Sequence, residues 1–264
     1  MSSTDAPPVT LTIAGSDSGG GAGIQADLKA MTSVGVHGVS AITALTAQNS
    51  TGVQGIHPVP PEFLEEQIDS VTSDFPVLAT KTGMLFSREL ITVICDRCTQ
   101  LGRLVVDPVM VAESGDSLLD PEAQSTLVQD LLPLADVITP NGPEIRVIAD
   151  QLELETNDLK RLTPQVARAL DGPNVLLKGG HLEETEAVDY LYNRDGDEET
   201  FSSPRHETNH THGSGCAYSS LIASFLAKGY SLIDAITESK NRIDRAIKDG
   251  YAAGAGSGTL NFLS

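Results

Sequence analysis

The alternation of apolar, β-rich runs with helical patterns is the feature that most restricts the fold of this chain. Strand patterns lie over Val9 to Ala14, Val39 to Leu45, Val77 to Thr82, Arg103 to Asp107, Val137 to Thr139 and Asn174 to Lys178. Apolar residues at helical spacing lie between strands, for instance over 22–34 and 61–71. This order is typical of a parallel sheet covered by helices. We therefore predict an α/β fold, with a central mostly parallel sheet flanked by helices on both faces.

Two segments late in the chain break this alternation. Ala187 to Tyr192 and Thr200 to Ser202 have no helical pattern between them, which predicts a small β-hairpin excursion. Two helical stretches, from about Ser214 to Ala227 and from about Leu232 to Lys248, then close the chain. Because no linker, repeat or low-complexity tract divides the sequence, we expect a flexible N-terminal tail (1–8) and one domain (9–264).

Charge and hydropathy narrow the class of partner. Lys and Arg number 17 against 36 Asp and Glu, giving a net charge of -19, which disfavours nucleic acid and anionic membranes as partners. No stretch approaches the roughly 18 apolar residues of a membrane helix, and the start carries no signal-peptide pattern. We expect a cytoplasmic protein that acts on small molecules. The spread of acidic residues favours adaptation to high salt, where a strongly charged surface stays hydrated.

The three cysteines fit a reducing compartment. Cys95 and Cys98 form a C-x-x-C, a spacing used in redox and zinc sites. No second Cys pair exists to complete a zinc site, and the pair lies inside the helical run Ser87 to Leu101. We interpret it as structural or incidental.

Two common nucleotide motifs are excluded. The run from Gly21 to Ala26 fits a relaxed dinucleotide fingerprint, but no Asp or Glu occurs between Leu28 and Pro61 to hold a ribose. No Gly-Lys pair occurs anywhere in the chain, so there is no Walker A loop. Polar residues nevertheless gather after strands, and ligands of such sheets bind at the carboxyl ends of the strands.

The strongest local signal runs from Asn209 to Cys216, directly before an apolar helix. Gly213, Ser214 and Gly215 place free N–H groups at the helix start, an arrangement that holds anions such as a phosphoryl group in transfer. Cys216 lies just inside the helix, where we expect a lowered thiol pKa and a role as proton acceptor for a substrate hydroxyl. The alternative is a Gly-rich loop followed by a small buried Cys.

Two further groups of polar residues follow strands. Asn141 and Glu144 have the spacing to orient magnesium-bound water and phosphate, and Asp107 adds a carboxylate. The alternatives are a helix cap and a turn-forming Asp. Near the N-terminus, Asp27 could bond a ring amine and Gln48 the edge of a heterocycle. Their alternatives are a helix-surface Asp and a loop Gln.

Together these motifs resemble the hydroxymethylpyrimidine/phosphomethylpyrimidine kinase family over nearly the whole chain. The matching segments are Ala14 to Asp17, Gly20 to Lys29, Ile42 to Asn49, Lys81 to Leu85, Val106 to Met110, Ser114 to Asp116, Thr139 to Asn141, Lys178 to His181 and Thr211 to Cys216. The resemblance implies a ribokinase-like fold, a homodimer, and the use of ATP and Mg²⁺. The implied reaction is phosphorylation of 4-amino-5-hydroxymethyl-2-methylpyrimidine (HMP) to its phosphate and then its diphosphate.

The resemblance also implies roles for individual residues. Cys216 takes the place of the general base, with Gly213 to Cys216 forming the anion hole. Asp27 and Gln48 match pyrimidine-binding positions. The positions that line the substrate site are Gly15, Ala22, Met84 and Val111. The nucleotide contacts are Asn141, Lys178 and Thr211, and the magnesium-linked acids are Asp107 and Glu144.

Two positions depart from the family pattern, and two other functions stay open. Glu113 stands where many members carry Lys, and Gly142 where an aliphatic residue is usual. The first alternative is a kinase of pyridoxal or another vitamin B6 alcohol. The second is a ligand-binding sensor that kept the pocket without turnover.

Overall fold

One nine-stranded sheet organises the protein in the computed structural model, which describes residues 6–110, 118–155, 158–179, 186–193 and 196–263. The strands are β1 (Val9–Asp17), β2 (His37–Asn49), β3 (Gly52–Pro58), β4 (Val77–Thr82), β5 (Arg103–Val106), β6 (Val137–Ile138), β7 (Asn174–Leu177), β8 (Glu186–Tyr192) and β9 (Glu198–Pro204). The helices are α1 (Gly23–Ser33), α2 (Pro61–Asp74), α3 (Arg88–Arg97), α4 (Pro121–Thr126), α5 (Gly142–Gln151), α6 (Leu159–Leu170), α7 (Ser214–Ala227) and α8 (Leu232–Lys248).

The sheet is parallel at its centre and antiparallel at both edges. Its order is β3-β2-β1-β4-β5-β6-β7-β8-β9, and the pairings from β2 to β7 are all parallel. The predicted hairpin is β8 and β9, which extends the sheet beyond β7 by antiparallel pairing. The predicted α/β class and the mainly parallel sheet are therefore confirmed.

Strand β3 was not predicted, and it changes the surroundings of one predicted site residue. All seven of its residues are exposed, so it has neither the apolar run nor the alternation that identifies a half-buried strand. It pairs antiparallel with the far half of β2, which continues to Asn49 instead of ending near Leu45. Gln48 thus lies inside a strand and not in the loop after one.

Two apolar cores lie on opposite faces of the sheet. On one face, Leu104 and Val106 pack with residues of α2 to α6. On the other, Val105 packs with α1, α7 and α8. The alternation along β5 follows from the two-residue period of a strand, whose successive side chains point to opposite faces. No helix in the described part of the chain is both long and apolar enough to span a bilayer.

Candidate active site

A buried ion pair connects the segments that follow the carboxyl ends of two parallel strands. Asp107 directly follows β5 and Lys178 directly follows β7, and Lys178 Nζ lies 2.7 Å from Asp107 Oδ1. Asp107 is 2% exposed and also accepts a hydrogen bond from Thr139. Burial acts to lower the pKa of Lys178, but the carboxylates of Asp107 and Glu144 raise it above its ordinary value. Lys178 is thus held as a cation at the carboxyl end of the parallel strands.

Asn141 and Glu144 form a complete capping box at the start of α5. The Asn141 side chain accepts from the Glu144 N–H at 2.9 Å, and Glu144 Oε2 accepts from the Asn141 N–H at 2.8 Å. The alternative considered for this pair, a helix cap, is therefore present. Both hydrogen bonds of the capping box form even though Gly142 replaces the usual aliphatic residue. Burial raises the pKa of Glu144 to about 7, Lys178 opposes that rise, and Asp107 adds to it. Glu144 therefore also lies within electrostatic reach of the charge pair.

The N-terminus of α7 lies against the Gly-rich loop that follows β1. Gly213 has a φ of 79°, and a Cβ there would collide with the carbonyl oxygen of Gly21. A glycine is thus required both by the backbone angle and by the close approach. The Ser214 N–H donates to the Thr211 carbonyl. The N–H groups that follow precede the first helical hydrogen bond and are available to an anion.

This helix start also meets the charge pair. A Cβ on Gly215 would lie 3.3 Å from Lys178 Nζ and 3.8 Å from Asp107 Oδ2. The hydroxyl of Ser219, one turn further along α7, is 3.4 Å from the same Asp107 oxygen. The predicted anion hole and the predicted phosphate and magnesium residues are therefore brought together. Thr211 lies exposed at the mouth of this loop.

Cys216 is the third residue of α7 and its side chain is half-buried. The predicted lowering of its thiol pKa is wrong. Burial, the largest influence, raises the pKa of Cys216 above its ordinary value, and Asp27 and Asp107 add to the rise. Lys81 and a hydrogen bond from the Gly23 N–H act in the opposite direction. Desolvation thus outweighs the favourable position at the helix start.

The Gly-rich loop is organised by one carboxylate. Asp17, at the end of β1, accepts hydrogen bonds from the N–H groups of Gly19, Gly21 and Ala22 at 2.7, 3.0 and 2.8 Å. His212 Nε2 lies 3.5 Å from the same side chain. Asp17 therefore fixes the loop against the segment that leads into α7, a role that its place in a Gly-rich run did not indicate.

Two of the residues predicted to line the substrate site, Gly15 and Met84, are in contact with each other. A Cβ on Gly15 would lie 2.7 Å from the terminal methyl of Met84, so these two residues are in close contact. Ala22 is the residue that precedes α1. Gln48 is half-buried, and its Oε1 accepts from the Thr46 hydroxyl at 3.1 Å. The Ser18 hydroxyl bonds both backbone groups of Gln48, tying that strand end to the loop.

Asp27 does not reach this surface, and its predicted contact with a pyrimidine needs correction. It is 0% exposed, and both carboxylate oxygens lie within hydrogen-bond distance of Lys81 Nζ. Thr12 and Ser220 donate to it at 2.6 and 2.7 Å. Any bond to a ligand would have to break these contacts. Asp27 is therefore a buried partner of Lys81 and not a surface acceptor.

Two positions singled out in the sequence, Val111 and Glu113, lie outside the described residues. The sequence analysis assigned no role to Lys81, the buried partner of Asp27. A single Lys in the apolar run of β4 was the available signal, because a buried strand rarely holds a charge without a partner.

The family of the chain follows from comparison with known proteins. The sequence model of the phosphomethylpyrimidine kinase family matches residues 17–261. The hydroxymethylpyrimidine/phosphomethylpyrimidine kinase of Haemophilus influenzae is 44% identical over 259 residues, covering 95% of each chain. A thiamine biosynthesis bifunctional protein of Geobacter sulfurreducens is 48% identical over 256 residues, which are 96% of this chain and 52% of that protein. The chain thus spans about half the length of this bifunctional relative.

A solved structure resembles the fold over almost its full length. It is an ADP complex of the pyridoxal kinase from Bacillus subtilis, with a TM-score of 0.86, 34% identity, and coverage of 96% of this chain and 97% of that one. The predicted ribokinase-like fold is confirmed by this likeness. With a family match across most of its length and relatives at 44% and 48% identity, this chain belongs to the phosphomethylpyrimidine kinase family.

Proposed function

We propose that this protein transfers a phosphoryl group from ATP to the hydroxymethyl group of HMP, and then a second one to the resulting monophosphate. One observation carries the proposal: the start of α7, with Cys216 inside it, adjoins the Lys178–Asp107 pair. The proposed proton acceptor and the proposed anion hole are therefore close to a buried cation. Phosphoryl transfer depends mainly on such positioning and charge neutralisation.

Cys216 is the proposed proton acceptor. Its thiolate would take the proton of the substrate hydroxyl while the hydroxyl oxygen attacks the terminal phosphorus of ATP, and ADP leaves. In the Gly213–Cys216 segment, the N–H groups that follow Ser214, beginning with that of Gly215, would hold the phosphoryl oxygens during transfer, because the Ser214 N–H already donates to the Thr211 carbonyl. Because the pKa of Cys216 is raised, the thiolate is the minor form near neutral pH, so the rate should grow as the pH rises.

We propose Asn141, Lys178 and Thr211 as nucleotide contacts. Lys178 would bind phosphate oxygens as a point charge, and the cap of α5 would orient Asn141 toward them. The likeness to an ADP-bound kinase supports the use of ATP.

Magnesium is proposed to lie beside Asp107 and Glu144. The described residues contain no group of three potential metal-binding side chains. Mg²⁺ nevertheless fits here, because it keeps several waters and takes one or two carboxylates together with substrate phosphates. One Asp107 oxygen already accepts from Lys178 and Thr139, so these acids suit contact through bound water. The ion would neutralise charge on the phosphates being transferred.

The pyrimidine is proposed to lie against Gly15, Ala22, Met84 and Val111. Gln48 would meet the ring edge, because its amide can donate and accept at neighbouring ring atoms. The close contact between Gly15 and Met84 gives this end of the site a compact, apolar wall.

Pyridoxal is the second candidate substrate, and one observation favours it. The structural likeness at a TM-score of 0.86 is to a pyridoxal kinase. Pyridoxal and HMP are both hydroxymethyl heterocycles, so neither Cys216 nor Gln48 separates them. The pyrimidine is preferred because the matching family model and the Haemophilus influenzae relative, at 44% identity, are both named for it.

We further propose that the protein acts in the cytoplasm as a homodimer. Sedimentation equilibrium would test the assembly, since a chain of 27.8 kDa would give a particle of twice that mass.

Product analysis tests the proposed reaction directly. Incubation with Mg-ATP and HMP should yield first a monophosphate and then a diphosphate, resolved by mass spectrometry. Accumulation of the monophosphate alone would limit the protein to the first transfer. Absence of both products from folded protein would contradict the proposal.

A further inference from the structure

A fully buried ion pair lies against the middle of α7, where it contacts Ser220. Lys81 comes from β4 and Asp27 from α1, and both side chains are 0% exposed. Lys81 Nζ lies 3.0 and 2.9 Å from the two Asp27 oxygens. Each partner therefore has its charge compensated within the protein, and the pair cannot contact a ligand.

This pair is connected to Cys216 through α7. Ser220 follows Cys216 by four residues, so the two side chains lie on the same face of the helix. The Ser220 hydroxyl donates to Asp27 at 2.7 Å, which places the carboxylate one helical turn below the thiol. Gly23, at the start of α1, donates its N–H to the thiol itself. The helices that carry Asp27 and Cys216 thus meet at this point.

Lys81 is the positive charge that acts most strongly on Cys216. Burial raises the pKa of the Cys216 thiol, and the Lys81 ammonium lowers it. Asp27 and Asp107 raise this pKa further. The charged groups that act on the thiol pKa are thus Lys81 from β4, Asp27 from α1 and Asp107 from the end of β5. Lys178 also lies within electrostatic reach, because the Cys216 thiolate raises the pKa of Lys178. Lys81 stays protonated, because Asp27 raises its pKa although burial opposes this.

The position of this pair is not explained by stability. A buried ion pair costs desolvation free energy that its attraction only partly offsets, and apolar replacements of such pairs are often neutral or stabilising. The protein also keeps space beside the ammonium, because a Cβ on Gly83 would lie 2.8 Å from Lys81 Nζ. A costly ion pair whose carboxylate lies one helical turn from the thiol, and whose ammonium lies 2.9 and 3.0 Å from that carboxylate, is better explained by an effect on that thiol.

We propose that Lys81 is a positioning residue for the reaction, held by Asp27 so that its ammonium favours the thiolate of Cys216. The inference rests on the proposed role of Cys216. Lys81 keeps its own proton throughout, and the thiolate alone takes the proton of the substrate hydroxyl.

The test measures the thiol without using turnover. Iodoacetamide alkylation of Cys216 is followed from pH 6 to pH 10, with mass spectrometry to separate it from Cys95 and Cys98. The variant is Lys81→Met with Asp27→Asn, which removes both charges. The Asn side chain keeps one oxygen that accepts from Thr12 or Ser220, and its NH2 group can donate to the other hydroxyl. The double variant avoids an unpaired buried carboxylate, which would endanger folding.

Lys240 and Asp189 provide a matched control. They form another buried pair, 2.7 Å apart, between α8 and β8. Lys240→Met with Asp189→Asn should leave the alkylation midpoint of Cys216 where it is in the parent protein. Thermal melts confirm that both double variants are folded.

We expect the midpoint to rise by about half a pH unit in the Lys81 variant, which is less than the roughly 1–3 units for loss of a lone opposite charge. The rise is smaller because the same variant also removes Asp27, whose carboxylate acts on the thiol pKa in the opposite direction and less strongly than Lys81. The alkylation rate at pH 7.5 should fall about threefold, in line with that shift. An unchanged midpoint in folded protein, or an equal rise in the control, would overturn the inference. A shifted midpoint in a protein that phosphorylates none of the proposed substrates would uphold the inference and reject the proposed function.

Discussion

Lys178 and Asp107 are 71 positions apart in the sequence, yet their charged atoms lie 2.7 Å apart. The parallel sheet causes this, because β5 and β7 end at the same edge, one strand apart. The same pair sets the electrostatic surroundings of the α7 N-terminus on one side and of Glu144 on the other. Removing the charge of any one of these groups should therefore change the pKa or the ligand binding of the others.

Glu144→Gln should reveal the raised pKa of this carboxyl in the pH dependence of stability. Folding raises the pKa of Glu144 from 4.5 to about 7, so folded protein holds its proton more tightly than unfolded protein does. The stability gained is complete below pH 4.5 and is lost as the pH rises through 7. The parent should thus lose up to about 1.4 kcal/mol per pH unit relative to the variant over this range.

Urea unfolding of both proteins at pH 5, 6, 7 and 8, in metal-free buffer, checks this prediction. Gln also serves in a capping box, so the start of α5 should survive the change. Glu62→Gln, in the exposed first turn of α2, controls for the loss of a first-turn carboxylate. A difference between parent and Glu144→Gln that stays constant with pH would contradict the account.

Gly213→Ala should damage activity more than stability alone explains. The new Cβ meets both a positive φ, which costs about 1–2 kcal/mol, and the carbonyl of Gly21. The α7 start must then shift, and displacement of about 1 Å at such a site can lower kcat/KM by up to about 100-fold. We expect a loss of at least about tenfold.

Gly229→Ala is the matched control at the other end of α7. Gly229 has a φ of 86° with no atom within 4 Å of the added Cβ. This variant should lose only the stability that the positive φ costs, measured in thermal melts, while keeping its kcat/KM. Equal losses of activity in both variants would mean that the Gly213 effect is only a loss of folded protein.

Cys216→Ala should lower kcat by about 100-fold or more with little change in the melting temperature, as expected for loss of a proton acceptor. Cys98→Ala removes a half-buried thiol that follows α3 and precedes the amino end of β5, and it should leave kcat unchanged. Steady-state kinetics of the two variants on HMP makes the comparison. Unchanged turnover in Cys216→Ala would mean that another group takes the proton.

Molar KCl should raise both the melting temperature and the activity. With 36 acidic and 17 basic residues, the folded protein repels itself in dilute buffer, and salt screens that repulsion. Thermal melts in a KCl series, with sorbitol at equal osmolality as the control, measure the effect. Greatest stability in dilute buffer would contradict adaptation to high salt.

The sequence allowed the sheet, the hairpin and α7 to be predicted because their apolar periods are strong and local. The bounds of α7, Ser214–Ala227, agree with the prediction. Strand β3 could not be found, since a strand with no buried residue has no period. The burial of Asp27 and the raised pKa of Cys216 depend on β4 and α1 packing against α7. Such effects come from tertiary neighbours, which a local motif does not contain.

The most direct test of the central claim is Mg-ATP turnover in concentrated KCl, with HMP, HMP monophosphate and pyridoxal offered separately. We predict that both pyrimidines are phosphorylated and that kcat/KM for pyridoxal is far lower. A preference for pyridoxal would assign the same site to a vitamin B6 alcohol and contradict the pyrimidine assignment. No turnover of any of the three by folded protein would favour a ligand-binding sensor and contradict the account as a whole.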